Sequence, residues 1–167
     1  MAWIGGALGD LGEVFRSTFE RPLDAKRRIV VPLEFRAAVA GPFDGIFCFP
    51  SVDGDCIEAG GKALFDRNEA LISEFEVGDP VRYALEFTLR GGSSQLAFDS
   101  AGRVTLPESM CAMFGMTDTV VLVGLGERFQ IWGREAFLAE RPTQRLFARD
   151  ALRARAELRR ARLGAAE

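Results

Sequence analysis

Asp24-Ala25-Lys26-Arg27-Arg28-Ile29-Val30-Val31-Pro32 returns later in the chain as Asp99-Ser100-Ala101-Gly102-Arg103-Val104-Thr105-Leu106-Pro107. Both copies follow one template: Asp, three residues, Arg, three aliphatic or β-branched residues, Pro. The offset is constant, 75 residues from Asp24 to Asp99 and from Pro32 to Pro107. A period of that length is too long for a solenoid unit and points to a duplicated half-domain. Two such halves predict an internal pseudo-two-fold axis and two similar basic loops.

The same plan of elements surrounds each copy. Val14-Phe15-Arg16-Ser17-Thr18-Phe19-Glu20-Arg21 reads as a strand, and Pro22, which has no N–H to donate, ends its pairing. Residues 24–28 form a charged turn, and Ile29-Val30-Val31 is the return strand. Pro32 opens a short helix, where its missing donor is harmless. Gly45-Ile46-Phe47-Cys48-Phe49 and Cys56-Ile57-Glu58-Ala59 are strands joined through the Asp53-Gly54 turn signal. Leu64, Leu71, Ile72 and Phe75 mark a helix over 62–75, and a second helix follows Pro80 and closes at Gly91-Gly92. In the second half, Gln95-Leu96-Ala97-Phe98 precedes the turn and Pro107 starts the short helix. Thr119-Val120-Val121-Leu122-Val123 and Phe129-Gln130-Ile131-Trp132 are again paired strands. A helix over 134–140 is expected to break before Pro142. The organisation is therefore a flexible extension over 1–14, one repeat over 15–79, a second over 80–141, and an Arg-rich helical tail over 142–167.

Composition narrows the function. The chain has 167 residues, 48% of them hydrophobic, which is enough for an ordinary core without staples. Fourteen Phe predict a Phe-rich core, and the net charge of −3 leaves room for local basic patches. The chain contains no His, which removes imidazole general-base chemistry, Ser-His-Asp and Cys-His catalysis and His-ligated zinc. Cys48, Cys56 and Cys111 have no metal-ligand spacing and read as small buried apolar residues in a reducing cytoplasm. No paired-carboxylate motif or phosphate-cradling loop appears, so neither an enzyme nor a cofactor or metal is expected. No stretch is long enough to span a bilayer. In the tail, Phe147, Ala151, Ala154, Leu158 and Ala161 fall at spacings of 4, 3, 4 and 3, an apolar seam among arginines. That helix reads as a solvated face, a seam for a partner helix, or an auxiliary phosphate-binding arm.

In these residues the chain resembles the MraZ proteins, bacterial transcriptional regulators with a duplicated SpoVT/AbrB-type fold. The resemblance runs from about Phe15 to Arg141. It rests on Phe15-Arg16, on Leu23-Asp24-x-Lys26-x-Arg28, and on Pro32 with Phe35-Arg36. It rests further on Asp99-x-x-Gly102-Arg103-Val104-x-Leu106-Pro107, on Val120-Val121-Leu122-Val123-Gly124, and on Arg128-Phe129-x-Ile131-Trp132. It implies a mixed α+β, β-rich fold: a double swapped-hairpin barrel built from two internal repeats, with short helices and a C-terminal Arg-rich helix. It also implies a homo-oligomeric ring, localised to the cytoplasm and nucleoid, that binds double-stranded DNA at short direct repeats. Those repeats lie upstream of the division and cell-wall gene cluster, which such proteins usually repress. Antitoxin-type or stress-type regulation by the same fold, and a scaffold that does not bind DNA, are the alternatives. One departure stands out: the family usually has Gly before the first turn Arg, and this chain has Arg27. Either the turn is remodelled, or Arg27 tolerates backbone strain and adds a phosphate contact.

The DNA-binding candidates are Lys26, Arg27, Arg28, Arg36 and Arg103. Arg suits the task because its planar fork donates two hydrogen bonds to phosphate or to guanine. Asp24, Asp99 and Gly102 are read as shaping the turns. Arg28 and Arg103 have a second reading, as salt-bridge partners of those same aspartates.

Overall fold

Each copy of the template folds as strand, turn and strand, followed by a short helix that begins just past its proline. In the first half these are β1 (Thr18–Pro22), β2 (Arg28–Val30) and α1 (Leu33–Ala38), followed by β3 (Gly45–Pro50), β4 (Cys56–Gly60) and α2 (Lys62–Ser73). A connecting helix α3 (Pro80–Leu85) runs into a π-helical turn over Glu86–Arg90. The second half has β5 (Ser94–Ala97), β6 (Arg103–Thr105), α4 (Glu108–Met113), β7 (Thr119–Gly124) and β8 (Phe129–Gly133). It ends in α5 (Arg134–Gly164). This computed structural model describes residues 14–165. Most of the extension expected over 1–14 therefore lies outside the described residues. The chain divides into two compact units between Arg134 and Glu135.

The architecture is mixed α+β and rich in sheet, and the two repeats exchange strands. A six-stranded sheet has the order β1-β7-β8-β4-β3-β5, and β2 pairs with β6 in a separate two-stranded ladder. Thus β1 of the first repeat lies antiparallel to β7 of the second, and β5 of the second lies antiparallel to β3 of the first. The order reads the same from either end when each strand is replaced by its repeat counterpart. The pseudo-two-fold axis therefore passes between β4 and β8 and through the β2–β6 ladder. In that ladder Ile29 faces Val104, its own counterpart, with Arg28 opposite Thr105 and Val30 opposite Arg103.

Alternation of side chains sorts the core. Ile29 and Val104 point inward and are each 1% exposed. They join Ile46, Cys48, Ile57, Leu122 and Ile131 in one apolar cluster with the rings of Phe15, Phe35 and Phe129. Those rings stand 4.9 to 5.3 Å apart in tilted and edge-to-face pairs, the arrangement their quadrupoles favour. β3 is buried on both faces. Phe47 and Phe49, which alternate with Ile46 and Cys48, enter a second cluster with Leu64, Ile72 and Leu89 from the helical connection. Glu58 on β4 is buried and fully engaged. It accepts from Arg128 Nε at 2.9 Å, Gln130 Nε2 at 2.9 Å and Ser51 Oγ at 3.2 Å.

Two elements differ from the sequence reading. The first strand does not run unbroken from Val14. Phe15 makes an isolated bridge to Gly126, Ser17 takes φ 74°, and regular pairing begins at Thr18. The chain crosses closely over Gly124 there; a Cβ at 124 would collide with the backbone of Phe15 and Arg16. The second difference is at Pro142, which was expected to end a helix but lies inside the continuous α5. An interior proline costs about 3 kcal/mol through its lost hydrogen bond and its ring. The long stretch after it is rich in Ala, Leu and Arg, which are strong helix formers. The surface around it is exposed, so water can take up the freed carbonyl.

The inward and outward faces of the small ladder should respond very differently to truncation. Ile29→Ala is expected to cost about 2–5 kcal/mol in urea denaturation, as buried aliphatic truncations do. Val30→Ala, on the 40% exposed outer face, should cost less than about 1 kcal/mol. Equal losses would contradict the register given above.

Candidate nucleic-acid interface

The two turns are near copies of one another. Asp24 Oδ1 accepts the backbone N–H of Lys26 at 2.9 Å and of Arg28 at 2.8 Å, and Oδ2 accepts Arg28 Nε at 2.7 Å. Asp99 Oδ1 accepts the backbone N–H of Ala101 and of Arg103, each at 2.9 Å, and Oδ2 accepts Arg103 Nε at 2.7 Å. The main chain closes each loop in the same way. Arg27 N–H donates to the Asp24 carbonyl at 2.9 Å, and Gly102 N–H donates to that of Asp99 at 3.0 Å. Each aspartate therefore shapes its turn and aims its arginine. In both cases the backbone N–H of that arginine is the chief cause holding the carboxyl below its ordinary value, with the guanidinium adding to it.

The ladder presents these arginines on one surface. With Ile29 and Val104 turned inward, Arg28, Val30, Arg103 and Thr105 share the outer face of the two-stranded ribbon. Arg28 and Arg103 sit at opposite corners, related by the pseudo-two-fold axis. Their side chains are 31% and 33% exposed, and each commits its inner nitrogen, Nε, to its aspartate. Lys26 is exposed at the tip of the first turn, where the second turn has Ala101, so the first turn is the more basic. Val30 and Thr105 were absent from the sequence-based candidate set. Their signal was the alternation Arg-Ile-Val and Arg-Val-Thr, which puts the residue two beyond each arginine on the same face.

Arg27 and Arg36 are placed differently. Arg27 holds φ 61° and its counterpart Gly102 holds φ 72°, so the turn is not remodelled and the non-glycine residue adopts the left-handed conformation. The Arg27 side chain is half-buried, and its Nε donates to the Leu106 carbonyl at 3.1 Å. Arg36, on α1, does the same in the other half: its Nε donates to the Val31 carbonyl at 3.1 Å. Val31 and Leu106 are counterparts, each immediately before the proline that opens a helix. In α1 the first amide donors, Phe35 and Arg36, go to the Pro32 carbonyl; in α4, Met110 and Cys111 go to that of Pro107. The carbonyls of Val31 and Leu106, on residues that are 0% exposed, thus lie outside the helical ladder and take a guanidinium instead. The two guanidiniums reach them from different places. Arg36 packs over Gly102, where a Cβ would collide with it. At the other site the turn residue is Arg27 itself, and the counterpart of Arg36 is the buried Cys111, near enough for Arg27 to act on its thiol.

The sequence that builds these turns matches a known family. A family model described as "MraZ protein, putative antitoxin-like" matches residues 89–159. The chain is 64% identical over 150 residues to a Caulobacter vibrioides protein named "Transcriptional regulator MraZ", an alignment covering 89% of this chain and 96% of that protein. A protein of the same name from Phenylobacterium zucineum is 64% identical over 151 residues, covering 90% of this chain and 94% of its relative. The chain belongs to the MraZ family. A more distant member, from Parvibaculum lavamentivorans, is 39% identical over 127 residues, 75% of this chain and 79% of its own length. Among the described residues no helix is long and apolar enough to cross a membrane, and no cluster of His, Cys, Asp and Glu could hold a metal.

Two outcomes follow for this MraZ member. Because the folded pKa of Asp24 and Asp99 is depressed, their contribution to stability is full above the unfolded value near 3.8. It is lost as pH falls through the lower folded value. Carboxylate titration by NMR should find both below the unfolded value, and Arg28→Ala should move Asp24 upward and leave Asp99 in place. The second outcome concerns the two guanidiniums. Arg27→Gly relieves left-handed strain of about 1–2 kcal/mol and removes a charged hydrogen bond of about 1.5–3 kcal/mol. Cys111→Arg alone overfills a buried site beside Arg27. The double variant Arg27→Gly, Cys111→Arg rebuilds the Gly102–Arg36 arrangement, so it should melt higher than the sum of the single effects. Strict additivity in thermal denaturation would show that the two positions do not share one niche.

Proposed function

We propose that this chain is a sequence-specific DNA-binding transcriptional regulator, a repressor of the bacterial division and cell-wall gene cluster that contains its own gene. It acts in the cytoplasm at the nucleoid, binds short direct repeats upstream of that operon, and does so as a homo-oligomeric ring. The observation that carries this reading is the outer face of the β2–β6 ribbon. A two-stranded ribbon fits the width of the major groove, and this one holds an aspartate-steadied arginine at each of two symmetry-related corners. The names of the relatives support regulation of transcription. The strand exchange between halves supports a double swapped-hairpin barrel, with repeats over 15–79 and 80–141.

Roles divide by position. Arg28 and Arg103 reach base edges or phosphate with the outer edge of the fork. Lys26, at the turn tip, holds phosphate. Val30 and Thr105 lie between the arginines and supply apolar contact to a thymine methyl and a hydroxyl to a base edge. Arg27 and Arg36 brace the turns from beneath; a phosphate contact by either would use the terminal nitrogens. Asp24, Asp99 and Gly102 set turn shape. No catalytic role, cofactor or metal enters. The family model's description as antitoxin-like favours one second reading, a regulator of the same fold acting on a toxin-type operon. The ribbon chemistry is common to both, and the flanking genes separate them.

Arg28→Ala and Arg103→Ala are each expected to weaken operator binding by about 1–3 kcal/mol if they read bases. Lys26→Ala should weaken binding more uniformly across sequences and lower the salt slope by about one phosphate contact. Fluorescence anisotropy on the upstream region, at several salt concentrations, measures both. Unchanged affinity in both arginine variants at matched salt would remove the ribbon as the interface. A scaffold that does not bind DNA would show no salt-dependent binding at all. Light scattering with spacing variants of the operator tests the ring: moving repeats apart by half a helical turn should weaken binding sharply, while a full turn should be tolerated.

A further inference from the structure

The apolar seam of α5 is exposed throughout the described residues. Every described residue from 141 onward is exposed; Phe147 is 72% and Leu158 63% exposed. Assigning Ala151 and Leu158 to heptad position a puts Phe147, Ala154 and Ala161 at d, a continuous seam that rises about 21 Å along the helix. The residues flanking that seam are sorted by charge. Asp150 and Glu157 occupy the two g positions; Arg155 and Arg162 occupy the e positions that follow them.

We propose that α5 pairs in parallel, through this seam, with α5 of a second copy of this chain. In a parallel pair each g residue faces the e residue five positions further along the partner helix. Asp150 then meets Arg155 of the second copy, and Glu157 meets Arg162, twice over by symmetry. In an antiparallel pair g faces g and e faces e, which sets acid against acid and arginine against arginine. The charges thus select both the occupant and its direction. The intramolecular ion pair of Asp150 is with its neighbour Arg149, at 51% and 62% exposure, a contact worth little that exchanges readily. The alanines let the backbones approach closely, and Phe147 and Leu158 provide most of the buried area. Two heptads make only a marginal coiled coil on their own, so the pairing reinforces copies already held together and is to be tested in the full chain. It does not rest on DNA binding.

Cysteine cross-linking reads the geometry directly. Cys48, Cys56 and Cys111 are buried, and burial pushes the first two thiols up to about 12, so they compete poorly as nucleophiles at neutral pH. Ala154→Cys puts a thiol in the seam, and Ala156→Cys puts one on the opposite face. Under mild oxidation of the full chain, A154C should form a disulfide-linked dimer as its main product, and A156C should stay largely unlinked. Adding Glu157→Arg to A154C should suppress the link several-fold, and adding Arg162→Glu to that variant should restore it. Helix content by circular dichroism shows whether each variant is folded, and Arg162→Glu alone should suppress linking as Glu157→Arg does. Equal linking by A154C and A156C would overturn the proposal. So would faster linking on Glu157→Arg, the mark of antiparallel helices. Absence of any link, with Glu157→Arg tightening binding to an unrelated DNA duplex, would make α5 a phosphate-binding arm and overturn it as well. Arg28→Ala should leave cross-linking unchanged, which separates failure here from failure of the operator reading.

Discussion

The contact between Ile29 and Val104 is the hinge of the architecture. It lies on the pseudo-two-fold axis, it joins the two repeats, and it decides which way every residue of the β2–β6 ladder points. Each strand of that ladder has only three residues. Its stability therefore comes from the inward pair and the core beneath it, because so short a ladder has few hydrogen bonds of its own. Once that pair is buried, Arg28 and Arg103 have nowhere to go but outward. The exchange of β1 and β5 follows the same logic. Each repeat supplies an edge strand that the other lacks, so neither can close its apolar face alone. The halves are expected to fold as one cooperative unit, with pairings distant in sequence that close late.

How much of this could be read in the chain depended on whether the signal was local. Both template prolines mark helix starts, and the strands over 45–49, 119–123 and 129–132 stand where their apolar runs put them. At residue 27 the sequence left a remodelled turn and a strained backbone both open, because the family's usual residue there is Gly; the φ of 61° is the strained alternative. Pairing partners were not legible from spacing or composition, and only the family resemblance implied swapped hairpins. A charged turn between two short strands suggests a self-contained hairpin, yet the ladder partners of β1 and β2 are β7 and β6 from the other repeat. No residue type encodes that choice; it follows from where two half-cores can share apolar surface. Pro142 misled in the opposite way, as a strong local breaker outweighed by the helix formers that follow it.

The candidate site shows why two readings of one arginine need not exclude each other. Arg28 and Arg103 are salt-bridge partners of their aspartates, and the bond uses Nε. A guanidinium has five donors in a fixed fork, so an Nε contact leaves the Nη edge to approach a phosphate or a guanine. Steadying by Asp also reduces the side-chain entropy lost when the fork engages a ligand. An arginine that was merely solvated would lose more of that freedom on binding.

The unequal turns show what the duplication conserves. Proline at the start of α1 and α4 leaves the preceding carbonyl outside the helix, on a residue with no access to water. An unmatched buried acceptor costs about 1–3 kcal/mol, comparable to the strain of one non-glycine residue in the left-handed region. One niche meets the requirement with glycine in the turn of one repeat and arginine on the helix of the other, Gly102 beneath Arg36. The other meets it with the strained Arg27 in the turn and the small Cys111 on the helix. Glycine in both places at once would leave the acceptor bare, and arginine in both would crowd a buried site with two cations. The invariant is one guanidinium per niche, whichever element supplies it. Arg27 is therefore explained by the carbonyl it serves, and its departure from the family's glycine is matched by the absence of an arginine at 111.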